Sequence, residues 1–118
     1  MREFAARNRV LLLVSPEGFP VDVALGALPF EETMIERSSP YQYDRSIVLR
    51  TCSAEDLIVA KAFAERDRDW ADVESIAIRQ AGKLDWKYIR RQLRPLAEVK
   101  DPKAIMERLE STKRRAGK

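Results

Sequence analysis

Four side chains and one basic cluster have types and spacings that could do chemistry. Asp22 stands inside "PVDVALG", a strand-like run over Val21–Leu25 that is otherwise apolar. An ionised carboxylate buried on a strand needs a partner. Three readings are open for it: a residue of the turn begun by "SPEGFP", the partner of an arginine, or a metal ligand at the mouth of a cleft. Lys61 lies in "AEDLIVAKAFAER", one turn past Leu57 and three residues before Ala64, so a helix carries it on or beside an apolar stripe. Either its stem lies along the core while the ammonium reaches water, or the ammonium faces a polyphosphate as a point charge. Asp69 and Asp72 share one helical face, which Val73 and Ile76 continue inward. As helix-capping carboxylates they would meet unpaired N–H groups at the positive dipole end, worth about 1 kcal/mol. Arg90, Arg91 and Arg94 fall within about one helical turn, either as a solvated face or as a contact for RNA or another acidic partner.

Composition narrows what these groups can do. The chain has no histidine and one cysteine, Cys52, which excludes an intramolecular disulfide, the usual zinc ligand sets, and Ser-His or Cys-His catalysis. A metal here would be a hard ion held by oxygen, magnesium or manganese. With 118 residues, 45% hydrophobic and 35% charged, the sequence is that of one soluble globular domain. No apolar run approaches the roughly 20 residues that span a bilayer, and "MREFAARNRV" lacks the apolar centre of a signal peptide, so a cytoplasmic location is expected. The net charge of +3 is unevenly spread. From Lys83 to Lys118 there are 12 Lys/Arg against 5 Asp/Glu, leaving the first 82 residues at −4.

The elements that must position these groups are legible from turns, caps and periodicity. "RVLLLV" (Arg9–Val14) and "VDVALG" (Val21–Gly26) flank "SPEGFP" and predict a hairpin. "PFEETMIERSS" predicts a short helix with Phe30, Met34 and Ile35 inward, "SPYQYDR" is irregular, and "SIVLR" (Ser46–Arg50) is a third strand. Everything beyond is helix. Ser53 with Asp56 is a capping-box pattern, and Asp69 with Asp72 repeats it at the head of the next helix, which Gly82 stops. Asp85 caps "WKYIRRQLRPLAEV" behind a staple of Leu84 on Ile89, and Pro95 should kink or end that helix. Asp101-Pro102 starts the last helix. The expectation is an α+β domain over 1–118: about three mostly antiparallel strands and a short helix in 1–52, a helical bundle in 53–113, and a frayed basic tail at 114–118.

Together, "GFPVDVALGALPFEETMIERS", "SAEDLIVAKAFAERDRDWADVESIAIRQ" and "GKLDWKYIRRQL" resemble the C-terminal half of nucleotidyltransferase-fold proteins of the minimal nucleotidyltransferase and AbiEii-toxin type, from toxin–antitoxin systems. The resemblance covers roughly Phe4 to Glu98. It implies that Asp22 is the third carboxylate of a metal site and that Lys61, with Asp69 or Asp72, binds or orients the nucleotide. The implied reaction transfers a nucleoside monophosphate from a triphosphate to a hydroxyl, with carboxylate-held magnesium activating the nucleophile.

The sequence departs from that pattern at its most informative point. Such enzymes resemble one another in a Gly-Ser phosphate motif and an Asp-x-Asp pair on a strand upstream of the third carboxylate. None of the four glycines, Gly18, Gly26, Gly82 and Gly117, precedes a serine, and the one "DRD", Asp67–Asp69, follows the "VD" strand at a helix start. The expectation is therefore a nucleotidyltransferase-like protein that is inactive alone, or active only with a complementary chain, its magnesium site incomplete around Asp22. The alternative from another class is a non-catalytic, homodimeric interaction module whose basic helical face binds RNA or an acidic partner.

Overall fold

The computed structural model describes residues 2–8, 10–24 and 28–117. Arg9, Leu25 and Gly26, the expected limits of the hairpin, and Lys118 of the tail lie outside the described residues. The chain forms two compact units, Met1–Glu36 and Arg37–Lys118.

The first unit contains α1 (Arg2–Asn8), β1 (Val10–Val14), β2 (Pro20–Ala24) and α2 (Pro29–Glu36). β1 and β2 pair antiparallel as expected, with Leu12 opposite Asp22 and Leu13 opposite Val21. The turn closes on Ser15, whose carbonyl accepts from Gly18 N–H at 2.9 Å and whose hydroxyl accepts from Phe19 N–H at 3.0 Å. Gly18 takes φ 88°, a left-handed conformation that a Cβ disfavours. The strand was expected to be buried on at least one face, but Leu12, Leu13, Val21 and Val23 keep 38–45% of their surface exposed. A two-stranded ribbon leaves much of both faces and both outer edges uncovered. In α2, Phe30 is buried and Met34 half-buried, whereas Ile35 points outward rather than inward.

The second unit opens with a second hairpin, β3 (Ser39–Gln42) and β4 (Val48–Thr51), with Tyr41 opposite Leu49. The expected third strand is thus present, but it pairs with the segment taken as irregular, giving two two-stranded sheets among the described residues rather than one sheet of about three strands. Pro40 hid β3 in the sequence, since proline lacks the N–H of a ladder and is tolerated only where the strand has a free edge. Asp44 closes the turn by accepting from the N–H groups of Ser46 and Ile47, each at 2.8 Å. The α+β class stands.

Four helices follow: α3 (Ala54–Ala64), α4 (Asp67–Arg79), α5 (Trp86–Ala97) and α6 (Pro102–Ala116). Ser53, Asp85 and Asp101 are the N-caps expected of them, accepting from Asp56, Tyr88 and Ala104 N–H at 3.1, 3.0 and 3.1 Å. α4 starts earlier than expected, so Asp69 is its third residue rather than its cap. Pro95 does not end α5, which continues to Ala97 because a proline near the C-terminus removes only one hydrogen bond. The segment 114–118, expected to fray, is helical as far as Ala116, with Thr112 fully buried one turn earlier. No helix among the described residues is long and apolar enough to cross a membrane.

Polar ties set the register of the bundle. Asp85 N–H donates to the Glu55 carboxylate at 3.2 Å and the Lys100 ammonium donates to the Phe63 carbonyl, so α3 and α5 run side by side in the same direction. Arg108 with Asp67 at 3.1 Å and Arg115 with Glu74 at 3.6 Å do the same for α6 and α4. Between the helices lie Ile58, Val59, Trp70, Val73, Ile89, Leu93, Ile105 and Leu109, each essentially without solvent contact.

One buried charge sits beside that core. Asp56 has both oxygens engaged: Oδ1 accepts from the Tyr88 hydroxyl at 2.6 Å, and Oδ2 from Arg37 Nε at 3.0 Å. Burial and the bond to Asp56 push the Tyr88 phenol up to about 12. A Tyr88→Phe variant leaves Asp56 Oδ1 unmet and should lose about 1–3 kcal/mol in urea unfolding. Because the folded phenol keeps its proton after the unfolded one loses it near pH 10, wild-type stability should fall as pH rises from about 10 towards 12. The variant should lack that component, and an identical alkaline limb in both proteins would contradict the assignment.

Candidate functional site

The junction of α3 and α4 gathers three of the residues singled out in the sequence. α3 ends at Glu65, whose φ of 65° is left-handed and whose N–H donates to the Lys61 carbonyl at 3.2 Å. Only Glu65 and Arg66 separate the helices, so the last turn of α3 faces the first turns of α4. Lys61 Nζ lies 2.7 Å from Asp72 Oδ2 and 3.6 Å from Asp69 Oδ1.

The two carboxylates differ in what they do. Asp69 is fully buried and accepts from the Arg66 backbone N–H at 3.3 Å, from Arg66 Nε at 2.6 Å and from Arg66 Nη2 at 3.2 Å. As the third residue of α4 it meets the N–H of the N-cap residue Arg66, the N3 half of a capping box and not the N-cap position itself, and the guanidinium clamps it in a two-point bond. Arg66, then Lys61 behind it, hold the Asp69 carboxyl below the usual range. Asp72 is half-exposed and accepts from the Lys61 ammonium. That bond, with Asp69 adding to it, raises the Lys61 ammonium above its ordinary value.

Lys61 is consequently a fixed cation with about a third of its side chain in water (31% exposed). An ammonium has three N–H donors, and Asp72 takes one within hydrogen-bond distance. The remaining donors can meet a phosphate oxygen. Ile58 and Ala62 on the same helix are buried, while Lys61 keeps part of its side chain in water.

Asp22 lies in the other compact unit, mid-strand on β2, solvent-exposed and opposite Leu12. It is not in the turn. Exposure also removes the premise that it must have a partner. Among the described residues, no group of three or more His, Cys, Asp or Glu is gathered to hold a metal ion. Arg90, Arg91 and Arg94 all lie on α5, where Arg90 is bound to Glu110 while Arg91 and Arg94 are exposed.

Sequence reasoning missed Arg66, Arg37 and Tyr88 as partners of the two buried carboxylates. Arg66 had a signal, an arginine three residues before an aspartate at a helix start. Arg37 and Tyr88 lie 19 and 32 residues from Asp56, a separation that no local pattern encodes.

A family model described as "Nucleotidyltransferase of unknown function (DUF6036)" matches residues 6–113. No curated protein and no solved structure matches the chain.

Asp69 and Asp72 should separate in stability measurements. Asp69→Asn removes the partner of a fixed guanidinium and should lower the urea midpoint clearly, whereas Asp72→Asn, at a half-exposed position, should hardly move it. Since the folded Asp69 carboxyl is held low, its contribution is present above the ordinary carboxylate value of 3.8 and lost as pH falls through its lower folded value. Asp69→Asn should flatten that acid limb; equal effects of the two variants would contradict the division of labour.

Proposed function

The chain belongs to the DUF6036 family of nucleotidyltransferases of unknown function, and we propose that its part in nucleotidyl transfer is to hold the phosphates of a nucleotide at Lys61. The observation that carries this reading is the Lys61 ammonium fixed between Asp72 at 2.7 Å and Asp69 at 3.6 Å while remaining partly open to water. A cation positioned before the ligand arrives loses little freedom on binding, and polyphosphate is the anion that a compact ammonium meets well. Asp72, the more exposed of the pair, releases or shares Lys61 when phosphate enters; Asp69 stays with Arg66 and keeps the junction closed.

Nucleotidyl transfer commonly draws on two divalent ions held by several carboxylates. The donors here do not fit such a site. Asp22 is a single strand carboxylate, and Asp69 and Asp72 are already met by Lys61 and Arg66, positive groups that a metal ion would have to displace. In the AbiEii-like reading, Asp22 contributes one ligand to a site whose other carboxylates come from a complementary half, and the 118-residue chain alone does not turn over.

Titration calorimetry with a non-hydrolysable nucleoside triphosphate should show binding that Lys61→Ala weakens at least tenfold, about 1.4 kcal/mol, while Lys103→Ala leaves it unchanged. Incubation with labelled nucleotides, magnesium or manganese, and total tRNA should give no transfer. Binding indifferent to Lys61 removes the phosphate assignment, and labelling abolished by Asp22→Ala removes the proposed incompleteness.

A second reading, the homodimeric module, is favoured by the first hairpin. Leu12, Leu13, Val14, Phe19, Val21 and Val23 are all substantially exposed, and β1 contains no charge or proline to discourage edge pairing. A two-fold contact would cover the same patch twice. Light scattering at micromolar concentration should give a dimer that Leu13→Lys dissociates; a monomer across that range would exclude this reading.

A further inference from the structure

We infer that the outer face of α5 is a binding groove for the phosphodiester backbone of a single-stranded nucleic acid. This inference stands apart from the nucleotide reading of Lys61. The groove has a volume of about 490 Å³ and is lined by Lys87, Arg90, Arg91, Arg94, Pro95 and Glu98. These positions recur every three or four residues, so they form one face of one helix, and Lys87 to Arg94 spans about 10 Å along it.

The cations are not equivalent. Arg90 is committed to Glu110 through Nε–Oε1 at 2.5 Å and Nη2–Oε2 at 3.2 Å, and that bond holds the Glu110 carboxyl below its usual range. It forms a neutralised wall. Lys87, Arg91 and Arg94 are exposed, and none has an ion pair among the described residues. Arg91 is also the most firmly placed of the three. Its guanidinium lies 5.5 Å from the centroid of the Tyr88 ring, and that ring is pinned through its hydroxyl to buried Asp56. Three uncompensated cations therefore face one carboxylate, Glu98, at the C-terminal end of the groove.

Shape and chemistry choose the occupant. Arginine forks suit phosphate oxygens in two-point contact, and their planes, with the apolar ring of Pro95, offer surfaces on which bases can stack. A flexible single strand can follow a groove made by one helix, whereas a bilayer surface would call for apolar anchors beside the charges, and this face has none beyond Pro95. RNA and DNA share the backbone that these cations recognise, so the test must separate them.

The test is fluorescence anisotropy with labelled 12-nucleotide oligo(U) and oligo(dT), titrated by the full chain at several salt concentrations. Three phosphate contacts should give a log–log salt slope of about −2 for a single strand. A variant carrying Lys87→Ala, Arg91→Ala and Arg94→Ala should flatten that slope by about 2 and weaken binding at least tenfold at low salt. Arg114→Ala with Arg115→Ala removes two cations of α6 outside this groove and should leave the slope nearly unchanged. A matching circular-dichroism melt would establish that the triple variant still folds, since all three side chains are exposed. Tighter binding of oligo(U) than of oligo(dT) would assign RNA, and the reverse DNA. Wild-type affinity in the triple variant, loss of binding only in the α6 variant, absence of binding at low salt, or displacement of the oligonucleotide by polyglutamate at equal charge would each overturn the inference.

Discussion

An ionised carboxylate inside a helical bundle is tolerated only when both of its oxygens are met, and Asp56 imposes that condition on the second unit of this chain. Its two partners come from far away in sequence: Tyr88 on α5 and Arg37 just before β3. Meeting them fixes where α5 lies against α3, and the contacts of Asp85 with Glu55 and of Lys100 with Phe63 extend the same alignment along both helices. Tyr88 then serves a second purpose, since the ring held by Asp56 is the surface on which Arg91 and Arg37 rest, at 5.5 and 4.0 Å from its centroid.

The second buried carboxylate, Asp69, works locally where Asp56 works at long range. Arg66 neutralises it across three residues while Asp69 accepts the Arg66 N–H at the start of α4, and the α3–α4 connection is only two residues long. A short connection brings Lys61 against the first turns of α4, where Asp72 and Asp69 hold it. One carboxylate thus builds the platform for the α5 cations and the other the junction that presents Lys61. Lys61 and Arg91, two of the cations proposed to meet phosphate, thus each lie against a group held by a buried ion pair.

Local chemistry made much of this legible in the sequence. Ser53, Asp85 and Asp101 as N-caps, Gly18 in the first turn and the apolar period of α3 to α6 depend on residues within about four positions of one another. A shared role for Lys61 with Asp69 or Asp72 was implied by the family resemblance and not by local spacing; the two-residue α3–α4 connection is what brings the three side chains together. What escaped was non-local or masked. β3 was hidden by Pro40, α1 by its seven-residue length, and the pairing of β4 with β3 by a turn whose closure depends on one side chain, Asp44. Asp56 looked like half of a capping box because its spacing from Ser53 fits one; its backbone N–H does bond Ser53, but its carboxylate turns inward to partners 19 and 32 residues away. Asp22 was expected to be buried because its neighbours are apolar, and apolar neighbours on a two-stranded ribbon do not ensure burial.

The central claim is that Lys61 is a phosphate-facing cation and not only a strut between helices. Amine-reactive labelling of the folded chain, read at each lysine by mass spectrometry with and without a nucleoside triphosphate, tests it most directly. A phosphate site predicts that nucleotide slows modification of Lys61 at least several-fold while exposed Lys83 and Lys103 react at unchanged rates. Equal modification of Lys61 with and without nucleotide, at concentrations that saturate any binding seen by calorimetry, would contradict it and leave Lys61 as a structural ion pair.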